Sequence, residues 1–598
     1  MVFSRRDFIK VSTAVAGAGI LGGAVRPASG KAPSLPRTGL NGMRILASGQ
    51  RFTVADQPSV YYHSTGVVST PEGLLCVYRS SDHHLASWSN VCAARSRDGG
   101  RTWEDHRILA TSSFEQDAAN WVSPQLSKLP DGRLVIIVDQ GKKKTPFDWP
   151  MLSNWQKPDR GMSNWLLEST DHGKSWQPLR CIDQVGGEPS YITALSNGTL
   201  LYTRTDSAET TLKKNPALPW GTTYYRSTLV FSDDGGRSWK RTVRLFDDPF
   251  IGDCEVGVVE FAPGKLLALS RVGDGGSAFG QPSRMVFSED FGKTWGKPLL
   301  APCYAQRPCL GTLRHKAHTT DAVFATFRNS SHATPGTLAW TFDPTSTFAY
   351  EPNNFIWREE NCLLKTDGLH IRTGEGTDQG VEYQLYPMED DDSACEMEVT
   401  LAVKEADTHG CNLSVGAWIR FEPRRVSLAD RPELGFDWDT TEFHTYRIIN
   451  ENQRIRVFVN GQLKLDEPLE GLFTRYVRFG NRRGATPNPD LAQRFPENGY
   501  FRNRSHSIWK TARVHVRNRR DHAVRWSWEA RSGKYPDQFR RDNFIMLEKN
   551  ASYIASDSGY SGWAQADEGT LVISDYTCGE EGLKKPLVRA YRLPIAAI

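Results

Sequence analysis

The chain has 598 residues, 39% of them hydrophobic and 24% charged, a balance that excludes a wholly disordered or collagen-like protein. The length calls for several domains or one large β-architecture with an insertion, and a net charge of +4 is too dilute to argue for a nucleic-acid partner. The 51 Gly and 18 Trp fit either turn-rich repeated β-structure or sugar stacking on indole rings, and composition does not separate the two.

The first element in chain order reads as an export signal over residues 1–30. Ser4-Arg5-Arg6-Asp7-Phe8-Ile9-Lys10 precedes a mild apolar stretch from Val11 to Val25, and small residues follow at Ala28-Ser29-Gly30. The paired arginines mark the twin-arginine type and predict a periplasmic or secreted protein; a short buried helix behind a basic tail is the alternative. No other run has 18 consecutive apolar residues, so no membrane association is expected of the mature chain.

A repeat then organises the chain. Ser96-Arg97-Asp98-Gly99-Gly100-Arg101-Thr102-Trp103 recurs at Ser169–Trp176, Ser232–Trp239 and Ser288–Trp295, as S-x-D-x-G-x-[ST]-W with spacings of 73, 63 and 56 residues. The pattern predicts a tight hairpin. The Asp accepts hydrogen bonds from the turn backbone, the Gly supplies a positive φ, and the Trp buries surface between neighbouring repeats. Apolar runs flank turns at Pro71-Glu72-Gly73, Pro130-Asp131-Gly132, Ser196-Asn197-Gly198 and Ala262-Pro263-Gly264, ahead of each box. Four antiparallel strands per unit describe a propeller blade.

Two further units lack a clean box. One begins at Cys309–Arg314 and Val323–Phe327; the other comprises Gly559–Trp563, Thr570–Ile573 and Leu587–Leu593, with Met43–Gln50 expected as its outer strand. The predicted fold is all-β: a six-bladed β-propeller with blades one to five over 31–350, blade six and ring closure over 541–598, and an inserted β-sandwich of jelly-roll type over 351–540. Within the insertion, Ala394–Val403, Phe443–Ile449 and Ile455–Val459 read as strands, with Asn460-Gly461 as a hairpin turn. The stretches Asp439–Arg447 and Arg456–Gly461 resemble concanavalin-like or laminin-G-like modules.

The four boxes and the sixfold ring resemble the bacterial sialidase superfamily of glycosidases over about 31–350 and 545–598. Glu255–Phe261 is similar to the sialidase stretch carrying an active-site Glu, Leu269-Ser270-Arg271 to the strand end with a substrate-binding Arg, and Gly559–Trp563 to the segment with the Tyr nucleophile. The resemblance implies that Glu255 takes the proton of Tyr560 and that Asp82, on the loop Arg79–His84, is the acid/base. A Tyr with its ordinary pKa near 10 is a poor nucleophile without such a base.

Departures come with the likeness. Sialidases carry an Arg-Ile-Pro motif on the first inner strand, where this chain has Val60–Val68 with His63 nearest. An arginine expected at Ser330–Gly336 is also missing, which leaves Arg271 alone of a three-arginine carboxylate clamp, with Arg79, Arg314 or Arg328 as substitutes without a place. The expected activity is therefore exo-hydrolysis of a terminal sugar from an extracellular glycan, the sugar not necessarily sialic acid. Alternatives are a polysaccharide lyase in which His63 works with Tyr560 and Arg271, or a glycan-binding protein without chemistry. Candidate substrate-binding residues are Arg271, His63 and Arg79. No cofactor or metal is implied: the His315/His318 spacing is isolated, and the ten Cys have no ligand rhythm. A Cys303–Cys309 disulfide is left open. The expected partner is an oligosaccharide or polysaccharide, bound by a monomer.

Overall fold

The computed structural model describes residues 42–147, 161–209, 223–272, 280–313, 322–329, 336–356, 358–374, 380–407, 410–481, 504–518, 522–550 and 558–598. The export signal, His315, His318, Arg314 and most of Ser330–Gly336 lie outside them.

Six sheets form the propeller, antiparallel but for one short edge pairing in blade five. Blade one is Tyr61–Thr70, Gly73–Ser81, Trp88–Ser96 and Glu104–Ser113, from the inner strand outward. In blade two, Ala119–Trp121 and Gln125–Lys128 share the inner edge of Leu134–Lys142. Blades three and four begin at Thr193–Ala194 and Asp253–Ala262, with second strands Leu200–Glu209 and Lys265–Val272. Each pair of neighbouring blades shares one hydrophobic cluster. Leu74, Cys76 and Val572 join blades one and six, and Leu267, Leu269, Ala325 and Trp340 join blades four and five. The core is thus a ring of six sheet-on-sheet contacts around an axis, and residues at the axial strand ends are left to face one another.

The boxes are hairpin tips between third and outer strands. In the first, Asp98 accepts from the Arg101 and Thr102 amides at 3.0 and 2.9 Å and from the Thr102 hydroxyl at 2.7 Å. The residue before the invariant Gly is left-handed in all four copies, including His172 (φ 62°) and Phe291 (φ 60°). Trp239 lies edge-on to Tyr202 at 5.1 Å within the cluster shared by blades two and three.

The ring closes differently from the sequence expectation. Arg51–Ala55, not Met43–Gln50, is the outer strand of blade six, paired antiparallel with Leu587–Pro594. Arg44–Ile45 instead adds a short parallel strand to Phe544–Lys549, which is the outer strand of blade five. Blade five is therefore split by the insertion, and Phe544–Lys549 belongs to it rather than to blade six. Its third strand Gly336–Phe342 needs a fourth to cover its edge, and the chain supplies one only after the insertion is complete.

The insertion is a sandwich of a seven-stranded and an eight-stranded sheet between Asn353 and Glu529. Met397, Val399, Ile419, Phe479 and Trp509 lie in its own core. Val459 pairs with Gln462, so Asn460 (φ 48°) and Gly461 (φ 83°) make a two-residue turn of the kind Asn-Gly favours. The chain's two crossings between sandwich and propeller are tied together. Glu351 accepts from the Phe539 and Arg540 amides at 2.6 and 3.3 Å, opposite the short helix Gln538–Asn543. All ten cysteines are free thiols, Cys303 and Cys309 included, and burial pushes both of those up to about 12.

Candidate active site at the propeller axis

Two recurring positions build the site. The first is a residue with positive φ in the inner strand or just ahead of it: Ser64 (45°), Glu188 (51°), Glu255 (44°) and Arg307 (50°). Ser64, Glu255 and Arg307 sit at register shifts between His63/Thr65, Cys254/Gly257 and Gln306/Cys309. An extra residue in one strand bends it and re-aims a side chain, and a left-handed non-glycine costs about 1–3 kcal/mol unless its surroundings enforce it. In blade six the place falls to Gly559 (φ 91°), next to Tyr560. A Cβ at Gly559 would stand 2.2 Å from the Cβ of Arg328, so only glycine fits.

The second position is on the second strands. Counted from the first buried aliphatic residue of each (Leu74, Leu134, Leu200, Leu266, Val323, Leu571), the sixth residue is Arg79, Asp139, Thr205, Arg271, Arg328 or Tyr576. Most reach the inner strand of the next blade. Asp139 accepts from the Glu188 amide at 2.8 Å, and Thr205 from the Glu255 amide at 3.1 Å. Arg328 donates to Ser558 O at 3.1 Å, and the Tyr576 ring lies 4.5 Å from that of His63. Second strands thus hold the bulges that aim the axial side chains.

Glu255 and Tyr560, 305 residues apart, are brought together. The Tyr560 hydroxyl donates to Glu255 Oε1, with both residues buried. Arg271 Nη1 donates to the same oxygen at 2.8 Å and approaches Tyr560 Oη at 3.2 Å. Two cations that sequence reasoning did not place complete the cluster. The Arg328 guanidinium lies 4.9 Å from the Tyr560 ring centroid and that of Arg307 5.3 Å. The clamp therefore has three arginines around the Tyr–Glu pair, not one. Arg328 was legible in the register: FATFR in blade five repeats LALSR in blade four. Arg307 carries no such signal, because a bulge, not the strand period, turns it inward.

Burial alone would raise the Glu255 carboxyl. Arg271, Arg307, Arg328 and the Tyr560 hydroxyl outweigh it and hold the carboxyl below its ordinary value. Burial, then the Glu255 charge, pushes Tyr560 well up. The resting pair is a neutral phenol bonded to a carboxylate, which is a nucleophile beside its base.

The blade-one candidates fare differently. His63 is buried, its Nδ1 2.6 Å from Ser64 Oγ and its ring 5.0 Å from that of Tyr560. Burial first, then Arg79, His84, Arg328 and Arg307, hold its pKa far below 6.5, so it stays neutral and is a poor proton carrier. Arg79 is not placed to receive substrate. It donates to Ser81 Oγ at 3.2 Å and to the His83, His84 and Val122 carbonyls at 3.0, 2.8 and 3.4 Å, and so props the 82–86 loop. Asp82, on that loop, accepts from the Ser87 amide at 2.8 Å and from its hydroxyl. Partial burial would raise its carboxyl, but these bonds bring it below its ordinary value, so in this geometry it is an anion rather than a proton donor. A cavity of about 1020 Å³ lies away from the axis, between the sandwich and residues 532–538. Its Arg513 is already paired with Glu398 and Glu529 at 3.2 and 3.1 Å, and the axial cluster is the place with chemistry to offer. Among the described residues no group of His, Cys, Asp and Glu is arranged to hold a metal ion.

Residues 74–323 match the family model for a BNR repeat-like domain. The chain is 29% identical over 279 residues to a sialidase of Bacteroides fragilis (strain YCH46), a match spanning 40% of this chain and 44% of that protein, less than half its length. A protein of unknown function from Dyadobacter fermentans superposes with a TM-score of 0.45 at 12% identity, over 91% of this chain and 98% of that one. Trypanosoma rangeli sialidase in complex with sialic acid gives 0.34 at 13% identity, over 81% and 96%. These superpositions are loose, and the six-bladed architecture stands on the strand pairing of this chain.

Proposed function

We propose that this Asp-box (BNR-repeat) protein of the sialidase superfamily is a retaining exo-glycoside hydrolase, acting on a terminal sugar acid of an extracellular glycan. The observation that carries the reading is the buried Tyr560–Glu255 hydrogen bond inside a three-arginine cluster. Tyr560 Oη attacks the anomeric carbon and its proton passes to Glu255 Oε1. The glycosidic C–O bond breaks, and the leaving oxygen takes a proton from Asp82, which must first be protonated and exchange its bonds to Ser87 for one to the substrate. Water then cleaves the glycosyl–tyrosine bond. Asp82 takes the water's proton and Glu255 returns its own to Tyr560. The two displacements give net retention.

A phenol suits an acidic sugar. A carboxylate nucleophile would be repelled by the substrate's own carboxylate, whereas neutral Tyr560 gains charge only as the bond forms. Arginine forks bind such a carboxylate in two parallel hydrogen bonds. The Ser4-Arg5-Arg6 signal supports export and therefore a periplasmic or extracellular substrate.

The test is turnover of aryl glycosides of sugar acids by wild type and Tyr560→Phe. Release of reducing sugar by wild type alone is expected. An unsaturated, ultraviolet-absorbing product would favour elimination, and binding without turnover would leave a glycan-binding protein.

A further inference from the structure

The connection between Gly73–Ser81 and Trp88–Ser96 of blade one carries Asp82. Every carbonyl in it from Asp82 to Ala86 accepts from a cation, and the cations come from three different blades. Arg79 of blade one donates to His83 O and His84 O at 3.0 and 2.8 Å. Lys143, which follows Leu134–Lys142 of blade two, donates to Leu85 O, to Ala86 O at 2.6 Å and to Pro146 O at 3.0 Å. Lys585, ahead of Leu587–Pro594 of blade six, donates to Asp82 O at 2.9 Å and to Ser59 O at 2.6 Å. Carbonyls of surface loops are ordinarily left to water, and a charge-assisted bond is about twice as strong as a neutral one. Lys143 is buried, and the Ala86 that it holds is buried and left-handed (φ 35°). A residue other than glycine keeps that conformation only where its surroundings impose it. Ala86 leads into Ser87, whose amide and hydroxyl both donate to the Asp82 carboxylate. Lys585 thus fixes the backbone at Asp82, and Lys143 fixes it next to Ser87.

We propose that Lys143 and Lys585, together with Arg79, are positioning residues for the proton donor: they brace the Asp82–Ala86 backbone from both neighbouring blades, so that Asp82 reaches the leaving oxygen by turning its side chain alone. The proposal rests on the hydrolase reading above and deepens it. A loop left to water samples many backbone positions, and a misplacement of about 1 Å costs about 10²-fold in rate. Lys143 spends three donors on carbonyls, the full number an ammonium has, so its part is to position and not to bind substrate. The Tyr560–Glu255 pair belongs to blades six and four and stands outside the brace. Loosening the brace therefore affects proton donation to the leaving group and spares nucleophilic attack.

The experiment compares the full chain with Lys585→Met, Lys143→Met and Asp82→Asn on two glycosides of one sugar acid. A dinitrophenyl leaving group departs without a proton, whereas a methyl glycoside needs one. For the methyl glycoside, kcat/KM should fall about 10-fold in Lys585→Met and about 100-fold in Lys143→Met, within the roughly 10²- to 10⁴-fold that a general acid supplies. The dinitrophenyl glycoside should change by less than about twofold, and Asp82→Asn should show the same pattern enlarged. Lys585→Arg should recover most of the lost rate. Lys585 is only half-buried, so its variant serves even where Lys143→Met fails to fold. Equal losses on the two glycosides in Lys585→Met, or no loss on either, overturn the brace. If wild type hydrolyses neither glycoside, or Asp82→Asn shows no dependence on the leaving group, it is the hydrolase reading or its proton donor that fails. Hydrogen exchange at the 85–87 amides then decides the brace: faster exchange in Lys585→Met at an unchanged melting temperature sustains it, and exchange equal to wild type overturns it.

Discussion

All six blades bring the second-strand position to the axis and five of them the positive-φ one, yet blades four to six and blade one use them in opposite ways. In the first arc the bulge and second-strand residues are Glu255, Arg271, Arg307 and Arg328 around Tyr560: Arg271 pairs with Glu255 and reaches the Tyr560 hydroxyl, and Arg307 and Arg328 lie near the Tyr560 ring. In blade one they are His63, Ser64 and Arg79, whose hydrogen bonds run to each other or to nearby loop groups. A repeated scaffold therefore supplies places, not roles. Chemistry arises where a buried charge meets a partner from another blade, and packing results where the partner is a local carbonyl.

Breaking the charged arc should have the largest effect. Tyr560→Phe should abolish hydrolysis, and Glu255→Gln should lower kcat by at least about 10³-fold, because the amide accepts no proton. Substantial residual kcat in either variant would erase the distinction between the arcs. Arg271→Lys keeps the charge but loses the fork, and should raise KM roughly 10- to 100-fold, as expected for a charge-assisted bond worth about 1.5–3 kcal/mol.

His63→Asn should be milder, within about tenfold in kcat/KM, because a neutral, buried imidazole contributes packing and one short hydrogen bond. A lethal effect would move the chemistry to blade one and revive the elimination reading. The pH profile tests the same contrast. Glu255 must be ionised to work, and its carboxyl lies below the ordinary 4.5, so the acidic limb of kcat/KM should fall below that value with no inflection near 6.5.

The smallest predicted effect is on stability. Burial pushes Glu351 at the sandwich junction and Asp575, which accepts from the Gly559 amide, up to about 7. Both hold protons more tightly folded than unfolded. Their stabilisation is complete below the unfolded carboxylate range and is lost as pH rises through 7. The melting temperature should therefore drop between pH 5 and 8, and Glu351→Gln should flatten part of that slope.

The boxes were legible because a tight hairpin is local: Asp98, Gly100 and Trp103 meet within eight residues. The split of blade five was not legible, since the pairing of Thr337 with Glu548 crosses the whole insertion. Tyr560 and Glu255 were found by resemblance, not by spacing. Arg79 was misjudged because its strand-end position is shared with Arg271 while its acceptors, loop carbonyls, leave no mark in the sequence. Arg307 escaped because a single extra residue between Gln306 and Cys309 reverses which way a strand residue points.

The most direct test of the account is to trap the intermediate. The full-length protein would be incubated with a fluorinated sugar acid whose transfer to water is slow, followed by intact-mass measurement and peptide mapping. The account predicts a mass increase of one glycosyl unit, carried by Tyr560 and absent from Tyr560→Phe. Label on another residue such as Glu188 or Asp82, or turnover with inversion and no covalent adduct, would contradict it.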